Sequence, residues 1–224
     1  MHAPMERNEV TIIKRKLGGL LIGAGTIALA AMIGLMVYNV WDAGRAKAAA
    51  DQAAEHLEDA ISEMAEKRAS EAETSQEEAT EVFRPLEEAQ EAETPLAEVD
   101  GVWYIGLLEL PALELELPVI HQWSEEDAKL APCRYSGSVE EDNLIIAGHN
   151  YAGHFGTLKN LHAGDAVRFT SMDGQTHAYA VTELEVLGAT DTEQLLQGDW
   201  DLTLFTCTVG GADRVVVRCM RIES

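Results

Sequence analysis

Basic residues are scarce in this 224-residue chain: 16 Lys and Arg stand against 39 Asp and Glu, a formal net charge of −23. A protein that grips phosphate backbones carries a basic stripe, so nucleic acid is excluded as a general partner. Cysteine is scarce too. Three are too few for a disulfide-built scaffold, and the odd number leaves at least one thiol without a partner in the chain. There is no Cys-x-x-Cys or His-x-x-x-His spacing, which speaks against a zinc site. Apolar residues, by contrast, make up 46 % of the chain, too many for full disorder. The length fits one ordinary domain with extras, or two small ones.

Charge divides the chain into three blocks. Residues 1–41 hold two acids (Glu6, Glu9) and four bases (Arg7, Lys14, Arg15, Lys16). Residues 42–100 hold 18 acids and 5 bases, and residues 101–224 hold 19 acids and 7 bases. From Leu17 to Trp41 no side chain is charged. A helix crosses the hydrocarbon core with about 20 apolar residues, so this run is long enough. Tyr38 and Trp41 close it where amphipathic rings favour the interface, and Lys14-Arg15-Lys16 precede it. We expect residues 1–16 to be a cytoplasmic N-terminus, residues 17–41 a transmembrane helix, and the remainder extracellular. The competing reading is a cleaved signal peptide ending near Ala46-Lys47-Ala48, but the apolar run exceeds the usual h-region of about 7–15 residues.

Residues 42–96 read as an acidic helical stalk and linker. Ala46–Ala72 is rich in strong helix formers and has no Pro. Leu57, Ile61 and Met64 fall on one face, too short a stripe for a coiled coil. A largely solvated helix that lifts a domain off the membrane is expected, some 27 residues and about 40 Å long. From Glu73 to Glu98 the composition becomes disorder-like, with Pro85 and Pro95 as breakers.

Residues 97–224 change to a strand-like period. Leu113-Glu-Leu-Glu-Leu117 alternates strictly, the mark of a strand with one buried face. Further strands are expected at 103–110, 143–148, 166–170, 176–187, 202–208 and 214–222, with short helices near 125–130 and 192–196. Many short strands at this spacing predict a mainly β sandwich or closed barrel.

Three features in this block carry chemistry. An apolar strand, Leu144-Ile-Ile-Ala-Gly-His149, runs into a histidine. An alternating strand, Leu202-Thr-Leu-Phe-Thr-Cys207, ends on a cysteine, and Arg214 opens the next strand after a six-residue loop. A thiolate is the effective nucleophile and a neighbouring imidazolium favours it. The same histidine can protonate a leaving amine. An arginine supplies charge for a developing oxyanion and keeps its proton. Taken singly, Cys207 could be a small buried hydrophobe, His149 a core or capping residue, and Arg214 a surface ion-pair partner.

Together and in this order they resemble the sortases, the membrane-anchored cysteine transpeptidases of Gram-positive bacteria. The resemblance covers Trp103 to Ile222. Ile145-Ile-Ala-Gly-His149 is similar to the family's histidine block, Thr203-Leu-Phe-Thr-Cys207 to its TLxTC signature, and Arg214-Val-Val-Val-Arg218 to its arginine strand. Pro132-Cys-Arg-Tyr-Ser-Gly-Ser138 and Leu158-Lys-Asn-Leu-His-Ala-Gly-Asp165 resemble the segments around the histidine block.

The resemblance implies a closed eight-stranded β-barrel in which Cys207 is the nucleophile and His149 the general acid/base. It makes Arg214 the oxyanion or substrate-orienting arginine and Thr206 a contact of the sorting peptide. It implies cleavage of an LPxTG-like sorting signal of secreted proteins and transfer, through a thioacyl intermediate, to a cell-wall precursor or cross-bridge amine. The alternatives are a hydrolytic thiol protease and a catalytically silent peptide-binding barrel. No cofactor is expected; Glu140, Glu141 and Asp142 lie where some sortases bind calcium, but an exposed acidic turn is the simpler reading. Cys133 and Cys219 are more simply buried than paired. His154 reads as a loop residue near the site, and His121, His162 and His177 as surface or turn residues. The lack of a second membrane segment or basic C-terminal tail argues against a typical pilus-building member, no Asp-Pro-aromatic lid precedes the barrel, and the short 188–201 segment argues against the subgroup with long helical insertions there.

Overall fold

The structure is a computed structural model that describes residues 6–78 and 95–222. Of the linker expected over residues 73–98, residues 79–94 lie outside them, with helix up to Glu78 and a strand from Ala97 at its two ends; the first five residues of the chain lie outside them too. Contacts separate a unit ending at Ala43 from one beginning at Gly44. Helix α1 (Glu6–Glu78) crosses that boundary, and its part in the first unit contains Ala24–Trp41, long and apolar enough to cross a membrane. The Tyr38 and Trp41 rings, one turn apart, stand 6.2 Å from each other.

In the second unit the chain from Ala97 forms nine strands: β1 (Ala97–Val99), β2 (Val102–Leu110), β3 (Leu115–Ile120), β4 (Cys133–Ser136), β5 (Leu144–Ala147), β6 (Ala166–Ser171), β7 (Thr176–Gly188), β8 (Leu202–Cys207) and β9 (Asp213–Arg221). A single helix, α2 (Thr192–Leu196), separates β7 from β8. The order β2-β3-β4-β5-β8-β9-β7-β6 closes on itself through β2–β6, giving the expected eight-stranded barrel, with β1 paired on β2. Pairings β3–β4 and β5–β8 are parallel and the others antiparallel. Closure needs a residue without a side chain at the β2–β6 seam: a Cβ on Gly106 would stand 2.2 Å from the Thr170 carbonyl oxygen.

Local differences from the expected elements have physical causes. Pro111–Leu113 is a 3-10 turn, with Pro where its missing N–H costs nothing. Glu114 follows at φ 54°, so β3 starts only at Leu115. The helix expected near 125–130 is a 3-10 turn, Asp127–Lys129, whose first amide donates to the Ser124 hydroxyl at 3.0 Å. Strands β1 and β4 are too short to show alternation, and β4 is interrupted by a bulge between Arg134 and Ser136.

The interior of the barrel is filled by residues such as Leu108, Leu117, Leu144, Ile146, Phe169, Leu204 and Val217. A second cluster corrects the expectation of a solvated stalk. Ala54, Leu57 and Ile61 of α1 are buried against Tyr104, Leu107, Ile120 and Met172, with Met64 at the edge. Ala50 joins the main cluster. The stripe is therefore longer than its large residues suggest. Ala50 and Ala54 extend it at helical spacing and let the backbone approach closely. Full burial of Leu57 alone contributes about 1.5–3 kcal/mol.

Candidate active site

Strand alternation splits β8 between two faces. Leu202 and Leu204 join the interior, whereas Phe205 belongs to a separate cluster with Ile145, Ala147, Leu187, Leu195 and Val216. That cluster lies on the outer face, where α2 supplies Leu195. Cys207 follows Phe205 by two residues, so its side chain shares this face, and it is exposed.

Arg214 is the direct antiparallel partner of Cys207. Opposed residues carry their Cβ atoms about 4.5–5.5 Å apart. The turn between them is held by the Thr208 N–H to Asp213 carbonyl bond at 2.8 Å. In the parallel neighbour β5, Ala147 pairs with Phe205, and the Gly148 N–H carries the ladder on to the Phe205 carbonyl at 3.1 Å. This register brings His149 to the strand end that carries Cys207. Three residues far apart in sequence thus lie at neighbouring strand ends: that of β5, that of β8 and the start of β9.

Two polar atoms of this group are buried with no protein partner: Nε2 of His149 and Nη1 of Arg214. Buried polar atoms are normally paired, and those left over concentrate where chemistry is done. The Arg214 guanidinium stands over the Phe205 ring at 5.7 Å, which orients it without consuming its donors. The Tyr135 ring stands perpendicular to the same ring, centroids 5.2 Å apart. His149 is flanked by Tyr151, ring centroids 5.0 Å apart. Burial holds its pKa below the ordinary histidine value; the Lys129 charge adds to the lowering and Glu125 opposes it. The neutral imidazole therefore predominates at neutral pH.

Arg218, the other arginine of β9, has a different environment. Its side chain is 3 % exposed. It donates to the Glu185 carboxylate at 2.8 Å, to the carbonyls of Leu195 and Gln194 at 2.8 Å each, and to the Thr203 hydroxyl at 3.1 Å. Those carbonyls belong to the last turn of α2, which lacks its own partners there. Arg218 is thus a tether for α2, and Arg214 is the arginine with donors to spare.

Thr206 is placed otherwise than expected. It pairs with Val215, which packs on the barrel interior, and it is itself buried. Alternation turns its side chain away from the face of Cys207, so it lines the core and not the groove. His154 lies in a loop, as expected, and is fully buried, its ring tilted against that of Tyr151 at 5.5 Å. Cys133 and Cys219 are free and buried, and burial pushes both thiols up to about 12. His121 and His177 neighbour Arg134 and Arg221 at 3.2 and 3.1 Å. In the acidic turn, Asp142 pairs with Arg221, and the Asn143 amide donates to Glu141 at 3.2 Å. Among the described residues no three His, Cys, Asp or Glu side chains gather as metal ligands would. Phe205, Tyr135 and the Arg218 tether were not singled out in the sequence, although the spacing of Phe205 two before Cys207 contains the signal.

The profile of the Sortase domain family matches residues 108–222. Sortase C1 from Streptococcus agalactiae is similar in structure, with 25 % identity over 57 % of this chain and 72 % of that one, at a TM-score of 0.50. A Clostridium perfringens Sortase D5 transpeptidase shares 23 % identity over 54 % of this chain and 79 % of its own, TM-score 0.49. Sortase C from Clostridium perfringens, solved with the C-terminal cell wall sorting motif, shares 22 % over 54 % and 71 %, TM-score 0.49. No curated protein matches the chain significantly.

Proposed function

Because this chain belongs to the sortase family, whose profile spans just over half of it, we propose that it is a cysteine transpeptidase acting on an LPxTG-like sorting signal. The observation that carries this reading is the register that sets Cys207 opposite Arg214 and brings the end of β5, with His149, alongside. The neutral His149 imidazole takes the Cys207 proton as the sulfur attacks the scissile carbonyl carbon. Arg214 donates to the oxyanion that forms. The C–N bond then breaks, and the departing amine takes its proton from His149. The resulting thioester is attacked by an acceptor amine of the cell wall, which gives a proton to His149 as the C–S bond breaks.

Lys14-Arg15-Lys16 before the apolar helix favour a cytoplasmic N-terminus and an extracellular barrel, where sorting signals are presented. The test uses the full chain in detergent with LPxTG-type peptides, with and without an amine acceptor. Transfer product that requires the acceptor and disappears in Cys207→Ala supports the proposal. Turnover retained by Cys207→Ala refutes it, and release of free acid regardless of amine identifies a thiol protease instead. Peptide binding by wild type without any Cys207 adduct identifies a silent barrel.

A further inference from the structure

The loop that carries His149 is closed on itself. The Phe155 N–H donates to the His149 carbonyl at 3.1 Å, and the N–H groups of His154 and Gly156 both donate to the Tyr151 carbonyl, at 3.0 and 2.9 Å. The fully buried Phe155 ring lies so tightly on Gly148 that a Cβ there would stand 2.7 Å from it. The Tyr151 ring lies against both the His149 and the His154 rings, centroids 5.0 and 5.5 Å away and tilted to each. Residues 148–156 are thus a compact body, and a push on one side is felt by the imidazole on the other.

One flank of that body meets α1. A Cβ on Gly153 would stand 2.6 Å from Cβ of Lys47 and 3.1 Å from its Cγ. The contact is made by the stem of Lys47, since its ammonium pairs with Asp51 at 3.0 Å. The same helix makes a second close approach at Gly174, where a Cβ would stand 2.9 Å from Cβ of Ala65. Between the two, Ala54, Leu57 and Ile61 are buried on the barrel. The helix is therefore seated in a fixed register, with one end against the histidine loop.

From this we infer that the Lys47–Ile61 stretch of α1 is a positioning element for the site, clamping the 148–156 loop through Gly153 and so fixing the His149 ring relative to the Cys207 thiol. The inference rests on the reading of His149 as the acid/base. It makes the stretch after the apolar helix part of the catalytic unit and not a spacer.

The test is a size exchange across the contact in the full chain in detergent. Two readouts are used: peptide turnover, and the pH profile of Cys207 alkylation by iodoacetamide, with His149→Ala as reference. In Gly153→Ala the added methyl displaces loop from helix. Turnover is expected to fall about 10- to 100-fold, and the alkylation profile to move toward that of His149→Ala. Adding Lys47→Gly makes room for the methyl and is expected to restore both to within about twofold. A Gly153→Ala protein that matches wild type, or a defect that persists in the double variant, overturns the inference. If Gly153→Ala does not fold, Leu57→Ser loosens the same seat without crowding the loop. It is expected to move the profile in the same direction, and an unmoved profile overturns the inference equally. The alkylation readout needs no substrate, so it decides the clamp even if no peptide proves to be turned over, an outcome that would count against the transpeptidase reading alone.

Discussion

Replacing the two arginines of β9 one at a time should separate chemistry from architecture. Arg218→Met removes a buried guanidinium and leaves the Glu185 carboxylate, the Gln194 and Leu195 carbonyls and the Thr203 hydroxyl without their donor. Removing one side of such a network costs about 3–5 kcal/mol, because the deprived acceptors stay desolvated. Glu185 is 30 % exposed and recovers some hydration, so the lower end applies. At about 2–4 °C per kcal/mol for a unit of this size, melting should fall by roughly 6–12 °C. Arg214→Met removes a group whose Nη1 has no protein partner and whose ring contact is with Phe205. That contact is worth about 0.5–1 kcal/mol, so melting should move by no more than about 4 °C. Turnover, however, should fall about 100- to 1000-fold, the loss that follows removal of an oxyanion donor. Thermal unfolding by circular dichroism and peptide turnover on the same preparations give both numbers. Lost activity at full stability in Arg218→Met, or a large melting shift with activity intact in Arg214→Met, would refute the division of roles.

Other substitutions test the remaining parts of the site. Protonating His149 removes the base, so the acid limb of kcat/KM should lie below the ordinary histidine value of 6.5. Lys129→Met takes away a charge that disfavours the imidazolium and should move the limb to higher pH, whereas Glu125→Gln should move it lower; shifts of the opposite signs would contradict the electrostatics. Leu57→Ala empties a fully buried site between α1 and the barrel and should cost about 2–5 kcal/mol in denaturant unfolding, a loss that a solvated stalk would not show. Brief iodoacetamide treatment at neutral pH should label Cys207 alone by peptide mass spectrometry, with Cys133 and Cys219 reacting only after denaturation, since burial raises both of those thiols.

Period-two alternation made most strands readable, and the apolar and acidic blocks separated α1 from the barrel. The short loop between Cys207 and Arg214 also put these two within reach of each other. His149 was recognisable as chemistry but not as a neighbour, because parallel pairing of β5 with β8 is a long-range event with no local mark. The docking of α1 was hidden for a different reason: half of its buried stripe is alanine, which counts little in a hydropathy pattern yet allows the closest approach. Arg218 and Arg214 look alike in sequence, and only the acceptors that α2 brings to Arg218 tell them apart. Thr206 carries the opposite lesson. Its side of the strand followed from its place beside Cys207, and the family likeness outweighed a rule that would have turned it inward.

Under the proposed function, closure of the ring decides how a substrate is gripped. Every strand that borders the thiol already has a neighbour on each side: β5 lies between β4 and β8, β8 between β5 and β9, and β9 between β8 and β7. An extended peptide arriving there finds no free edge along which to add itself as another strand. Affinity must then come from side chains and the pockets between them, so preference for one peptide over another is written in residues that folding leaves free to vary.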